Sequence, residues 1–339
     1  MSDGGDSMFF LFISGTEVAL VPGLTAAGAN HDVLPLTAPA DADLIRFGHP
    51  VAVDCFPVDP DGHPTPAVIT RAAVLEADIP VCVVRAGSFL PPAPPYVELG
   101  APAGKDPQIS AAVPGARDIY ERSAAMARSC VRSDERIMLA ESIPGGTTTA
   151  LMVLRALGYD SAMSSSGGRS NPVELKEKIW RAASGRLKIG VGSFKGDPLG
   201  AISELGDPMQ ASVLGFINGI NSITEVILAG GTQMLAIAAC LKTLDPSRKI
   251  KVATTRYVAE DPSASFRELA DELEIDTYVA PYDFSGSPYG GLRDYEAGCV
   301  KEGVGAGGAA LYASWSGVGV ERIIDRTNSV YREIIESHA

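Results

Sequence analysis

The chain has 339 residues, of which 46% are hydrophobic and 20% charged, and its formal net charge is −13 at pH 7. That length permits one large or two unequal domains, and the composition is that of a soluble globular protein. The charge excludes nucleic acid as a partner because no basic face is available to neutralise phosphates, although local N–H groups can still hold a small anionic ligand.

Asp3 and Asp6 stand where a secretion signal would carry positive charge. The apolar run 8–13 is too short to span a bilayer, so it reads as a first core strand in a protein without a membrane partner, and the cytoplasm is the expected compartment. The five cysteines are dispersed and lack C-x-x-C spacing, which argues against a disulfide framework or a zinc site. Cys82, Cys130 and Cys240 lie in apolar patterns and read as buried thiols. Residues 31–66 are rich in Pro, Asp and Gly and hold His31, His49 and His63, which read as loop histidines. Residues 79–84 form a strand pattern. The irregular stretch 87–115, with Phe89 and Tyr96 as apolar anchors, reads as a lid or a subunit-contacting arm. A helix follows over 117–132.

The chain is organised around residues 136–160. A buried strand at 136–140 runs into Glu141, then Pro144, Gly145 and Gly146, then three threonines that open a helical pattern ended by Gly158. Strand, glycine turn and helix N-terminus together make an anion site, in which Thr147 or Thr148 can cap the helix or meet a phosphate oxygen. No lysine follows the glycines, so this is not a Walker loop, and the dinucleotide fingerprint is absent too. A carboxylate ahead of a phosphate cradle opposes phosphate, so Glu141 suits a hydroxyl-rich or cationic part of a ligand.

Further along, Ser164, Ser165 and Ser166 precede a helix near 172–184 that carries Lys176. A strand is expected at 187–191, helices at 208–220, 234–243 and 263–273, and strands at 224–229, 250–254 and 276–280. A long amphipathic helix from 318 to 336 closes the chain. A second strand–glycine–helix junction falls at Gly230. This alternation predicts an α/β fold, a doubly wound, mostly parallel sheet whose ligand site lies beyond the strands' carboxyl ends. The loops after 140, 191, 229 and 280 then share one rim. Glu302, followed by Gly303, Gly305, Gly307 and Gly308, can approach a flat ligand closely; partial desolvation would raise its pKa toward that of a general base.

Five stretches, ESIPGGTTTALMVLRALGYD, SSSGGRSNPVELK, GDPMQASVLGFING, VILAGGTQM and GLRDYEAGCVKEGVGAGGAAL, occur in the order found in one enzyme family. On them the chain resembles nicotinate-nucleotide–dimethylbenzimidazole phosphoribosyltransferase, and within that family the divergent archaeal and cyanobacterial branch. The resemblance implies a large α/β domain at 41–314 and a smaller domain formed from both termini, 1–40 plus 315–339, in a homodimer. It implies nicotinate mononucleotide and an aromatic base, benzimidazole- or adenine-like, as substrates, with no cofactor and no metal. The family's base, in a G-L-R-x-G-E-G-x-G-A motif, falls on Glu302, and its G-E-M-G-I-G-N-T-T loop places Glu141, Thr147 and Thr148. The phosphate-binding lysine falls on Lys176, the Gly-rich turn before it on Ser164 to Ser166, and the strand-end glycine on Gly230. Gly146 replaces the family's loop asparagine, Ala229 replaces an aspartate, and the base-lining G-D-H-G segment lacks a counterpart unless 87–115 takes its place. Those departures keep open a non-catalytic nucleotide-binding or regulatory protein on the same scaffold.

Overall fold

The structure, a computed structural model, describes residues 7–25, 32–55, 57–59, 61–132 and 136–337. Short apolar runs bounded by Gly, Pro or Asp form the strands β1 (Ser7–Ile13), β2 (Val81–Arg85), β3 (Val97–Glu98), β4 (Arg136–Ser142), β5 (Glu225–Ala229), β6 (Ile250–Thr255) and β7 (Asp276–Ala280). They pair in the order β3-β2-β1-β4-β5-β6-β7, and every pairing is parallel. The chain starts mid-sheet, builds out to the β3 edge, then returns to lay β4 on the other side of β1. This is the expected doubly wound fold, with its switch point between β1 and β4.

Successive strand residues point to opposite faces, so each face acquires its own core. Phe9, Leu11 and Ile13 of β1 pack under the helices Leu34–Phe47, Ala67–Ala77, Ala306–Trp315 and Val320–Glu336. Phe10 and Phe12 pack under Ala116–Cys130, Gly146–Leu157, Pro208–Gly219 and Thr232–Leu244. With helices on both faces, the carboxyl ends of the strands are where a ligand can enter. At that end Ser14 N–H donates to Ser142 O at 3.0 Å, which joins the exits of β1 and β4.

Several expectations are corrected. Residues 7–13 lie at the centre of the sheet and not in a small terminal domain, because β1 hydrogen-bonds to β2 on one side and β4 on the other. The run 187–191 is not a strand: the helix Val173–Leu187 ends on Lys188 in a left-handed conformation, and Ile189 packs on the core from a turn. Residues 34–47 are helical although they look like a loop, with Pro35 in the first turn and Pro39 tolerated inside. Residues 87–115 contribute β3 and bury Ala93, Leu99, Ala101, Ala112 and Val113, and none of them lines the cavity described below. Cys130 is exposed, whereas Cys240 is buried. His31 lies outside the described residues. Among the described residues no helix is long and apolar enough to cross a membrane.

Candidate active site

β4 carries Glu141 and Ser142 to the switch point, and residues 143–145 turn the chain into the helix Gly146–Leu157. Gly145, the residue before that helix, has φ 81°, and a Cβ there would lie 2.8 Å from Ala19 Cβ. Left-handed backbone and close approach both demand glycine. The helix N-terminus borders open space, where its dipole favours an anion, although Gly146 N–H already donates to Ile143 O at 3.1 Å and Thr148 N–H to Gly145 O at 2.9 Å.

That space is a cavity of about 500 Å³. Gly145, Gly146, Thr147, Ser166, Glu141 and Glu302 all line it, so the two carboxylates and the amide turn deduced from sequence meet at one site. Val304 N–H donates to Glu141 O at 3.0 Å and clamps the segment after Glu302 against the end of β4. Thr148 is placed differently: it is fully buried beneath the turn, and its Oγ1 has no partner among the described residues.

Glu302 sits at the N-terminus of the helix Ala306–Trp315. Its Oε2 accepts from Thr255 N–H at 2.8 Å and Gly307 N–H at 3.3 Å, and its Oε1 from Gly303 N–H at 3.2 Å. Glycine at 307 is required because a Cβ would lie 2.1 Å from the carbonyl carbon of Thr254. Burial raises the Glu302 pKa from 4.5 to about 7, while the backbone N–H groups of Gly303, Thr255, Gly307 and Ala306 pull it back. Val300 and Val304, both β-branched, hold left-handed φ values of 52° and 57° on either side of it. Such backbone costs about 1–3 kcal/mol per residue and marks a segment held in place by its surroundings.

Glu141 is more deeply buried, at 2% exposure. Its pKa is driven well above the usual carboxylate range, first by burial, then by the charges of Glu302, Asp207 and Asp41, against one N–H from Ile143. Burial and the neighbouring carboxylates thus favour the protonated form of Glu141, while Glu302 has its midpoint near neutral pH. Burial also raises Asp41 to about 6, although it accepts from Thr65 Oγ1 and Ser142 Oγ, both at 2.7 Å.

The remaining sequence-predicted residues form a layer behind the cavity. Lys176 is fully buried and points its Nζ at Ser164 O (3.0 Å), Ser164 Oγ (3.1 Å) and Ser165 O (2.7 Å). All three N–H donors are thereby used and none reaches the cavity, so Lys176 supports the serine loop where the resemblance had put it on a phosphate. Burial and the charge of Lys301 lower its pKa to about 7. Gly230 lies behind Glu141, and a Cβ there would sit 2.9 Å from Met234 Cγ and 3.5 Å from Glu141 Oε1.

Sequence reasoning missed Asp41, a cavity carboxylate on a helix that reads as loop. It also treated His63 as an ordinary loop histidine. His63 does lie in a loop, but it lines the cavity with both ring nitrogens engaged, Nδ1 with Asp59 Oδ2 at 2.8 Å and Nε2 with Asp294 Oδ2 at 3.1 Å. The pairing with Asp294 spans 231 positions, and no local spacing signals it.

No protein-family model matches the chain. The UPF0284 protein of Pyrococcus furiosus is 44% identical to it over 331 residues, which spans 97% of this chain and 99% of the relative. The UPF0284 protein of Methanosarcina acetivorans is 40% identical over 315 residues, spanning 92% and 90%. Among solved structures, nicotinate-nucleotide–dimethylbenzimidazole phosphoribosyltransferase from Thermus thermophilus superposes with a TM-score of 0.62 over 94% of this chain and 83% of that one, at 15% identity. A structure of CobT from the same organism gives 0.61 at 16% identity, with 94% and 84% covered. The likeness to the solved structures is one of fold, and it is the fold that the sequence motifs implied. Identity to the two archaeal relatives, sustained from end to end of the chains, shows that the protein belongs to the UPF0284 family.

Proposed function

We propose that the protein is a phosphoribosyltransferase that moves the 5-phosphoribosyl group from nicotinate mononucleotide to a flat aromatic base, as in assembly of a cobamide lower ligand. The observation that carries this reading is the meeting of Glu302, Glu141 and the 145–147 amide turn in one cavity large enough for a mononucleotide and a ring. The phosphate ester suits the turn and the N-terminus of the helix Gly146–Leu157, with the Thr147 and Ser166 hydroxyls beside it. Ionised Glu302 removes the proton from the N–H of the base. The freed ring nitrogen attacks ribose C1′ as the bond from C1′ to the nicotinate nitrogen breaks, and the bonding pair returns to the pyridine ring. The pyridinium charge is neutralised as nicotinate departs, the ribotide forms with inversion, and Glu302 passes its proton to water. A base with a pKa near 7 is matched to this task at neutral pH. Nicotinate is a stable neutral-ring leaving group, so positioning and proton removal supply the catalysis.

The homodimer implied by the resemblance belongs to the same proposal and is measurable by sedimentation. The decisive experiment incubates the pure protein with nicotinate mononucleotide and a panel of benzimidazoles, adenine and phenols, and follows nicotinate by chromatography. Base-dependent nicotinate release is expected. Saturable mononucleotide binding without release under any base would favour the non-catalytic alternative.

A further inference from the structure

Two loops that wall the cavity, 164–167 and 300–304, come from distant parts of the chain and are tied together behind it. Asp261 stands at the knot. Its Oδ2 accepts from Ser165 Oγ at 3.0 Å and from Lys301 Nζ at 2.7 Å, and its Oδ1 accepts from Ser263 N–H at 3.0 Å and Ser263 Oγ at 2.7 Å. Alongside, Val300 N–H donates to Gly167 O at 2.7 Å, and Ser165 N–H to Thr232 Oγ1 at 3.1 Å. The Lys301 and Asp261 side chains are only 6% and 4% exposed. Neither lines the cavity, yet Lys301 directly precedes Glu302, and Ser165 directly precedes the cavity residue Ser166.

A buried ion pair is poor evidence for stability, because desolvation of the two charges offsets their attraction. Its geometry here does something else: beside the direct Val300 N–H to Gly167 O bond, one carboxylate ties the loop holding the proposed base to the loop beside the proposed phosphate cup. We infer that Asp261 is a positioning residue for the proposed transfer, acting through Lys301 on Glu302 and through Ser165 on Ser166. The inference rests on the reading of Glu302 as the general base. Misplacement of a reacting group by about 1 Å costs on the order of 10²-fold in rate, so loosening this tie is expected to be costly without any loss of a cavity residue.

The test is a charge-matched pair, Asp261→Asn with Lys301→Met, which removes both buried charges together and avoids stranding one. Its melting temperature is expected within about 5 °C of the parent. Nicotinate release is expected to fall by about 30–100-fold. Adding Glu302→Gln to that background should lower the rate by less than about 5-fold, since the two changes disable one function. A cycle in which Glu302→Gln costs as much in the doubly substituted background as in the parent overturns the inference. Ser165→Ala, which severs a single hydrogen bond, guards against a pair that fails to fold. It should raise amide exchange at 300–304 together with 164–167, and exchange confined to 164–167 also overturns the inference. If the parent itself releases no nicotinate, the transferase reading fails, and the exchange experiment alone decides whether Asp261 couples the two loops.

Discussion

Glu302→Gln separates chemistry from stability. The carboxyl titrates at 4.5 when unfolded and at about 7 in the folded protein, so the folded state binds its proton more tightly. A raised carboxyl pKa means that this group's contribution to stability is unpenalised below about pH 4.5 and is lost progressively as pH rises through 7. Integrating the difference in proton binding from pH 5 to pH 8 gives a loss of about 2.5 kcal/mol assignable to this residue. Glutamine cannot titrate and removes that slope. The amide also sets an NH₂ against one of the two N–H-accepting edges, by geometry the weaker Oε1 edge, which meets Gly303 at 3.2 Å and Gly307 at 3.4 Å. That mismatch shifts the variant's stability by an amount independent of pH, so the difference between the two pH values is the quantity to read. Urea unfolding of both proteins at pH 5 and pH 8 should show the variant gaining about 2 kcal/mol relative to its parent at the higher pH. In parallel, nicotinate release should fall by about 10²-fold or more, and the acid limb of the parent's kcat/KM profile should lie near pH 7. Equal stability differences at both pH values would show that Glu302 is not a buried, raised-pKa carboxyl, and the general-base argument would fall with it.

Gly145→Ala forces a Cβ to 2.8 Å from Ala19 Cβ at a φ of 81°, so thermal unfolding should show a loss of about 2–4 kcal/mol, with mononucleotide binding weakened more than base binding. Lys176→Met removes the buried donor from Ser164 Oγ and Ser165 O and one of two from Ser164 O, which keeps Asn171 Nδ2 at 2.8 Å. Denaturant titration should register about 2–4 kcal/mol, and a mononucleotide affinity unchanged once folding is allowed for would confirm that the ammonium does not touch phosphate. Val300→Gly relieves a left-handed β-branched residue whose side chain is only partly buried, so calorimetry should find no loss of stability while nicotinate release drops as the Glu302 segment loosens.

The strands of the β4 to β7 half of the sheet were the most legible elements. The apolar runs at 136–140, 224–229, 250–254 and 276–280 fall within two residues of β4 to β7, because a parallel sheet asks only for a short apolar run between turn residues. The run 187–191 carries the same signal and is not a strand; periodicity reports burial and cannot say whether a neighbouring strand is present to pair. The glycine turn and Glu302 were legible because their requirements are local: left-handed backbone at 145 and close helix approach at 307. Asp41 was invisible for the opposite reason. Its partners Thr65 and Ser142 lie 24 and 101 positions away, and in sequence it is one aspartate in a proline-rich stretch. Lys176 shows an intermediate case, since its place beside the serines was readable from proximity, but the direction of Nζ depends on the carbonyls that surround it.

The buried carboxylates also resolve a tension in the sequence. A glutamate directly before a phosphate cradle ought to repel the ligand, yet Glu141 is buried with Glu302, Asp207 and Asp41 as its main charged influences, and all of them favour its protonated form. A protonated Glu141 would leave the dipole field of the helix Gly146–Leu157 unopposed and could present an O–H to a ligand hydroxyl. Under the proposed function, the two carboxyls would also couple substrate binding to proton release. In the proposed transfer, a pyridinium cation entering beside these two carboxyls would favour their ionised forms and so ready Glu302 to accept the proton of the base. When nicotinate leaves as a neutral ring in that scheme, the stabilisation would be withdrawn and the proton taken from the base would stay on Glu302 until water removes it. The same desolvation that raises the Glu302 pKa, and so weakens the protein at high pH, would then also serve the proton transfer that the proposed reaction needs.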